Sequence, residues 1–533
     1  MRYWPLVLSA GLCAAVYLPR INSPFAWDDK SVIAQNGVLD HPIPLKDFAT
    51  QRYYSFSGEE SWRPLATLSY AAMVRVFGKS PAALRGFHLF LHGVDAWLLY
   101  LLACALGLAE PAAIWAAALF LVHAAHTETL FCVAFNEEIL VSLGLLAMLL
   151  AHLRKKTAAA ALALSFALLS KETGVIGLPL AFLCDLLETG KPFRRWRVYA
   201  LYSALIAVYL YIHFGPMKGP ASGIHAFALP EATRIYFGLS SLATAVRVFF
   251  APLDLKIEYF ALPPESTMQT ILWSCAGALA IGVWSWLALR AWKKERAVAF
   301  FLLWPVPFLL LTSPLWPVTV FNTRLFAERW MYLPALGATA ALGFVFRNRP
   351  AWGAALLMFW GACGLARAGD WSRESRLWRA LLDDYPWCAK AEEGLGESLF
   401  KEGDAAGARE SFERALYLRD TRQDKVLANY AALSEGGFVG WESASLHRWL
   451  GHACYKLGDI KEADEQFTRA AELDPADGFV YMIASYEQAQ AGNLPKAKAW
   501  IAQGLSAHPD DKFLLALKRD LGKGKLTMRA DFN

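Results

Sequence analysis

The chain has 533 residues, 56% of them apolar and 14% aromatic, with a formal net charge of +5. It is too long for one ordinary domain and too apolar to be water-soluble throughout. The small basic excess argues against a nucleic-acid partner, because it averages two unlike parts: from Asp370 onward 22 basic residues face 27 acidic ones, while the first 369 residues carry 30 basic and 20 acidic.

The chain opens with Met1 and Arg2, followed by the apolar run Trp4 to Leu18. No small-x-small cleavage site follows, so an uncleaved first span is expected rather than a removed signal peptide. Apolar runs then recur, and with the first they give eleven expected spans: 4–20, 85–108, 111–125, 130–153, 157–170, 174–189, 198–214, 268–290, 297–313, 331–346 and 350–367. The runs 111–125 and 157–170 are short for a bilayer, which calls for tilt or flanking helix. Four basic clusters set the orientation: Arg154 to Lys156, Lys191 to Arg197, Arg290 to Arg296, and Arg347 with Arg349. All four are cytoplasmic if the N-terminus is cytoplasmic and the segment 235–251 is re-entrant or interfacial. Eleven crossings then put the C-terminal part on the other side, periplasmic or luminal.

Loops 21–84, 124–130, 171–173, 215–267 and 314–330 share that outer side, and they hold most of the unusual polar residues. The first of them carries the adjacent acids Asp28 and Asp29. A carboxylate there can deprotonate or orient a hydroxyl nucleophile, and the plainer reading is a solvated pair capping a surface helix. In the same loop, Arg63-Pro64 opens an amphipathic stretch with Leu65, Leu68, Ala72 and Val76 on one face and Gly78 at its end, expected to lie flat on the membrane. His88, His92 and Asp95 share a helix face, either as a helix–helix polar cluster or as part of a buried site. His123 and His126 sit three apart, a spacing that metal ligands also use, with Glu128 just beyond. Asn136-Glu137-Glu138, Lys171-Glu172 and Glu328-Arg329 stand at further helix junctions, and Lys171 and Arg329 are fixed cations of the kind that bind phosphate, unless they pair with neighbouring acids.

The tail repeats. Gly458-Asp459 and Gly492-Asn493 are 34 residues apart, as are Pro475 and Pro509. Gly451, Tyr455, Ala463, Phe467 and Ala470 fall between them in the tetratricopeptide pattern. An earlier copy covers 389–420, with Gly394, Phe400, Gly403-Asp404, Ala408, Phe412 and Ala415; about 21 residues are inserted after it, and a degenerate helix pair begins at Trp371. Such arrays present a concave surface for peptides or proteins. The eight cysteines show no metal-type spacing; Cys388 and Cys454, both in the tail, pair only if the fold brings them together.

In this order, Trp27-Asp28-Asp29, Arg63-Pro64, His126-Thr127-Glu128, Lys171-Glu172-Thr173-Gly174 and Ala327 to Pro334, followed by the repeats, resemble the transmembrane and tetratricopeptide-containing O-mannosyltransferases and their bacterial relatives, within the GT-C glycosyltransferases. The resemblance implies an all-α fold: a GT-C-like transmembrane domain over 1–368 and an extracytoplasmic tetratricopeptide domain over 369–533. It implies transfer of a sugar, mannose or another hexose, from a polyprenyl-phosphate carrier to Ser/Thr hydroxyls of proteins. It places Asp28 or Asp29 as the base, with Asp28 favoured, and Arg329 and Lys171 on the donor phosphate. Arg63, His126, Glu128, Glu172 and Glu328 would line the acceptor or sugar site, with no obligatory metal. One departure stands out: Phe135-Asn136-Glu137 replaces the Gly-Arg-acid stretch of many relatives. A glycolipid or cell-envelope polymer as acceptor, or a non-enzymatic scaffold, are the other readings.

The topology has a direct check. A reporter fused after Asn533 is expected to be active only outside the cytoplasm; cytoplasmic activity contradicts the eleven-span arrangement.

Overall fold

A computed structural model describes residues 3–219, 230–262, 266–315, 324–428, 442–524 and 526. The chain separates into two compact units, Met1–Arg373 and Glu374–Asn533. Among the described residues the sheet content is one antiparallel ribbon, Tyr259–Phe260 against Arg324–Phe326.

Every expected span in the first unit is helical, but most differ from the expected length. Five helices are long and apolar enough to cross a bilayer by themselves: Pro81–Ala105, Val133–Leu153, Pro192–Phe214, Thr267–Lys294 and Pro350–Asp370. Glu110–Val122 with Ala124–Phe131 makes a sixth, bent by 50°. Trp4–Arg20, Thr157–Ser170 and Arg296–Thr312 are shorter apolar helices. Arg296–Thr312 is also broken at Trp304, because Pro305 and Pro307 remove backbone donors there. The segment expected to be re-entrant or interfacial is a continuous helix, Glu231–Phe250, packed along Thr267–Lys294.

Small residues set the helix spacing. Glycine at 144 lets Asn136–Leu153 meet Thr157–Ser170 so closely that an added Cβ would lie 2.8 Å from Ala167 Cβ. Pro81 starts its helix behind Ser80, whose hydroxyl accepts from the Ala83 N–H. The amphipathic stretch is the helix Pro64–Phe77, ended by Gly78 at φ +64°. Its Ala66, Thr67, Tyr70, Met73 and Val74 are buried against neighbouring helices, and Leu68, Ala72 and Val76 are exposed.

The second unit is a series of helix pairs. Ala389–Lys401 packs with Ala405–Asp420, Ala444–Lys456 with Ile460–Leu473, and Gly478–Gln490 with Leu494–Ala507. Gly403, Gly458 and Gly492 sit at φ +90°, +86° and +76° at the turn inside each pair, which explains the repeated glycine. The helix Glu374–Leu382 precedes them, where the degenerate pair was expected. Part of the expected insert, 429–441, lies outside the described residues. One position is corrected: the earlier copy's close-packing glycine is Gly396, not Gly394. Gly396 faces the Phe412 ring as Gly451 faces Phe467, while Gly394 packs on Trp378. Cys388 and Cys454 are both buried, and no disulfide joins them.

Replacing Gly396 by Ala puts a Cβ 2.5 Å from the Phe412 ring, and the expected loss is about 1–3 kcal/mol from the second unit. Gly522→Ala, with nothing within 4 Å, is the control. Thermal or proteolytic unfolding of the full chain that treats both variants alike contradicts this packing.

Candidate functional site

The loop bearing the acidic pair is fixed by Arg85, a buried residue of the helix Pro81–Ala105. Its guanidinium donates to the carbonyls of Phe131 (2.8 Å), Ile21 (3.2 Å), Pro24 (3.0 Å) and Ser23. The chain then enters the pair through Trp27 at φ +57°, a conformation side chains other than glycine rarely adopt. Asp28 is exposed, whereas Asp29 is 0% exposed. The Asp29 Oδ1 accepts from the Ala134 N–H at 2.8 Å and lies 3.5 Å from Cys132 Sγ. Burial pushes the Asp29 carboxyl up to about 7, against the charge of Arg85 and the Ala134 hydrogen bond. Asp29 makes no side-chain cap bond to the turn after it. The pair is therefore one buried and one exposed carboxyl, not two solvated ones capping a surface helix.

Arg63 gathers the next group. Its Nε and Nη2 grip Glu172 at 3.1 and 2.8 Å in a two-pronged pair, and its Nη1 reaches Glu137 at 3.4 Å and Glu59 at 3.5 Å. Lys171 Nζ bonds Glu137 at 3.4 Å and Glu138 more closely. Burial raises Glu172, but the charge and hydrogen bonds of Arg63 outweigh it and hold that carboxyl well below its ordinary range. Glu59 goes the other way, pushed up to about 8 by burial despite Arg63, with the charges of Glu137, Asp28 and Glu172 adding to the rise.

Arg329 forms a third group. The ribbon Tyr259–Phe260 with Arg324–Phe326, tied by Arg324 to Glu258 at 2.7 Å, delivers the chain to Ala327. The backbone N–H of Arg329 then donates to Glu128 Oε2 at 2.7 Å, and its Nη1 donates to Oε1 at 2.5 Å. The Phe135 ring lies 4.3 Å from its guanidinium. Asp28 links these groups, because its charge acts on both Arg329 and Glu59.

The expected site residues therefore divide. Asp28, Asp29, Arg63, Glu128, Lys171, Glu172 and Arg329 come together at one end of the helices. Lys171 and Arg329 are both buried and already hold carboxylates, Glu137 and Glu138 in one case and Glu128 in the other. Glu328 is wholly buried on Arg367 at 3.0 Å. His126 is buried among Phe120, His92, His123 and Tyr332. His92 and Asp95 both bond the Tyr332 hydroxyl at 2.9 Å, the helix–helix polar cluster. His123 Nε2 lies 3.0 Å from the Phe249 carbonyl. Among the described residues, no group of three or more His, Cys, Asp or Glu is placed to hold a metal. The departure at 135–136 has a local role: Phe135 backs Arg329, and Asn136 donates to Ser69 Oγ. Sequence reading did not find Arg85, Glu59 or Arg367. A basic residue among apolar ones in helices 81–105 and 350–370 was the available signal.

Asp29 carries a pH signature. An acid with a raised folded pKa favours the fold when protonated, so its contribution is full below its unfolded value of 3.8 and declines as pH rises to about 7. Asp29→Asn keeps an oxygen for the Ala134 N–H and removes the titration. Its thermal midpoint is expected to gain on wild type across that interval, and a difference independent of pH contradicts the buried acid.

Known proteins supply the comparison. The tetratricopeptide repeat family matches residues 444–477. The fruit fly protein O-mannosyl-transferase Tmtc1 is 25% identical over 321 residues, 53% of this chain and 37% of that protein. Human protein O-mannosyl-transferase TMTC3 is 28% identical over 156 residues, 28% of this chain and 17% of that protein. The chain thus matches well under half the length of these relatives. Among solved structures, the archaeal oligosaccharyltransferase AglB of Archaeoglobus fulgidus, in complex with an inhibitory peptide and a dolichol-phosphate, aligns at 13% identity and TM-score 0.38 over 73% of this chain and 58% of that one, too slight a likeness to build on. The chain is similar in sequence to protein O-mannosyl-transferases and carries a tetratricopeptide repeat in its second unit.

Proposed function

We propose that this chain is a membrane glycosyltransferase that moves a hexose, mannose being the first candidate, from a polyprenyl-phosphate carrier to Ser/Thr hydroxyls of proteins outside the cytoplasm. The observation that carries the reading is the exposed Asp28, fixed beside a buried Asp29 and acting electrostatically on Arg329. The similarity to O-mannosyl-transferases supports the reaction class. The repeats favour a protein acceptor over a glycolipid, since a lipid has no need of them.

In this reading Asp28 takes the proton of the acceptor hydroxyl as its oxygen bonds the anomeric carbon. The bond from that carbon to the carrier phosphate breaks, and its electron pair leaves with the phosphate. The charge growing there is met by Arg329 and Lys171. Arg329 spends only its Nη1 on a carboxylate among the described residues, and a guanidinium has further donors for phosphate. Burial pushes the Glu59 carboxyl up, which favours its neutral form and relieves the excess of acids around an anionic donor. Asp29 positions the loop by its bond to Ala134. The second unit recruits the acceptor protein.

The assay uses membranes with the full chain, a polyprenyl-phosphate-linked hexose and a Ser/Thr-rich peptide. Asp28→Asn is expected to lower transfer by about 10²–10⁴-fold. Asp29→Asn, which retains the Ala134 contact, is expected to cost much less. Unchanged transfer by Asp28→Asn overturns the assigned base. No transfer from any donor to peptide, lipid or polymer favours the scaffold.

A further inference from the structure

The helices that end at the acid cluster carry a second charged surface at their other end. Glu138 stands in the first turn of Asn136–Leu153 and His152 in its last, about 21 Å apart along the axis at about 1.5 Å per residue. Thr157–Ser170 runs from Lys156 to Lys171, and Gly177–Thr189 runs away from Glu172. Beyond His152 lie the exposed Arg154, Lys155 and Lys156, and beyond Thr189 lie the exposed Lys191, Arg194 and Arg197.

Buried contacts join these loops into one surface. Arg195 Nη1 bonds His152 Nε2 at 2.9 Å, the His152 carbonyl at 3.3 Å and Asp185 Oδ1 at 3.0 Å. Tyr199 donates to the other Asp185 oxygen, and Tyr202 lies 3.1 Å from His152 Nδ1. Arg296 donates to the Leu187 carbonyl at 2.8 Å, which brings the exposed Lys293 and Lys294 to the same end. The exposed acids near this surface are Glu188 and Glu295. Asp185 is consumed by the buried network, so it does not neutralise the outer cations. Phe193 and Trp196 project from the surface, 74% and 61% exposed, and Arg197 lies over the Trp196 ring at 5.6 Å.

Aromatic rings at the end of apolar helices, amid exposed cations, fit the boundary where lipid chains meet phosphate headgroups. A soluble polyanion would match the charge but would leave Phe193 and Trp196 in water. We propose that this composite surface binds the phosphate headgroups of anionic phospholipids in the leaflet on the far side of the bundle from the acid cluster. The Arg195–His152–Asp185 network acts as its frame, holding the 154–156 and 191–197 loops together. The proposal does not depend on the transfer reaction.

The test is native mass spectrometry of the full chain from micelles holding equal phosphatidylglycerol and phosphatidylcholine. Wild type is expected to retain phosphatidylglycerol preferentially. The variant Lys155→Gln/Lys156→Gln/Arg194→Gln is expected to lose that preference by about fivefold for each charge removed, at low ionic strength. Arg75→Gln, an exposed charge outside this surface, is expected to behave as wild type. Because the substituted residues are exposed, monodispersity and helical content should stay unchanged. No preference in wild type, an unchanged preference in the triple variant, or an equal loss in Arg75→Gln overturns the proposal. Displacement of phosphatidylglycerol by excess inorganic phosphate overturns the assignment to a lipid in favour of a soluble anion.

Discussion

Carboxylates buried at the end of an apolar helix bundle must be met by cations or backbone N–H groups, because an unpaired buried charge costs several kcal/mol. That constraint organises the first unit. Arg63 answers Glu172 and reaches Glu137 and Glu59; Lys171 answers Glu138; Arg329 answers Glu128; Arg367 answers Glu328. Each pair joins segments far apart in the chain: 63 to 172, 128 to 329, 328 to 367. The exposed loops are thereby tied across the bundle, and the site is a consequence of the same pairing. Asp28 stands out because its neighbour Asp29 takes the buried place and leaves it at the surface.

The two ends of the helices handle charge differently. At the acid end Arg63, Lys171, Arg329 and Arg367 each pair with carboxylates inside the bundle. At the other end, among the described residues, Arg195 pairs with Asp185 beside His152, while Arg154, Lys155, Lys156, Lys191, Arg194 and Arg197 are exposed. The hairpin Asn136–Leu153 with Thr157–Ser170 connects the two, and its helices approach closely at Gly144. Displacing that hairpin would disturb both surfaces together.

Much of this was legible in the sequence. Apolar runs marked the helices, the 34-residue period marked the tetratricopeptide pairs, and short polar motifs at helix junctions marked the site. Those signals are local, and local patterns survive without knowledge of the tertiary fold. Pairing is not local. Nothing in Lys171-Glu172 shows that the lysine turns to Glu138 and the glutamate to Arg63. His126 was marked by the His126-Thr127-Glu128 motif, and the sequence does not show that Phe120 and Tyr332 pack against its ring. Arg85 was missed for the converse reason: its partners are backbone carbonyls, so the arginine itself among apolar residues was the available signal. The Gly394 position misled because two glycines stand two residues apart and both face rings; the interval from Gly396 to Gly403, equal to that from Gly451 to Gly458, already marked Gly396.

In the proposed reaction a lipid-linked phosphate is received by Arg329 and Lys171 facing Asp28. A structure of the full chain with a polyprenyl phosphate bound tests it most directly. Phosphate oxygens are expected within hydrogen-bonding distance of Arg329 or Lys171, with the sugar-bearing side toward the Asp28 carboxylate. A phosphate seated away from both cations, with Asp28 facing empty solvent, contradicts it.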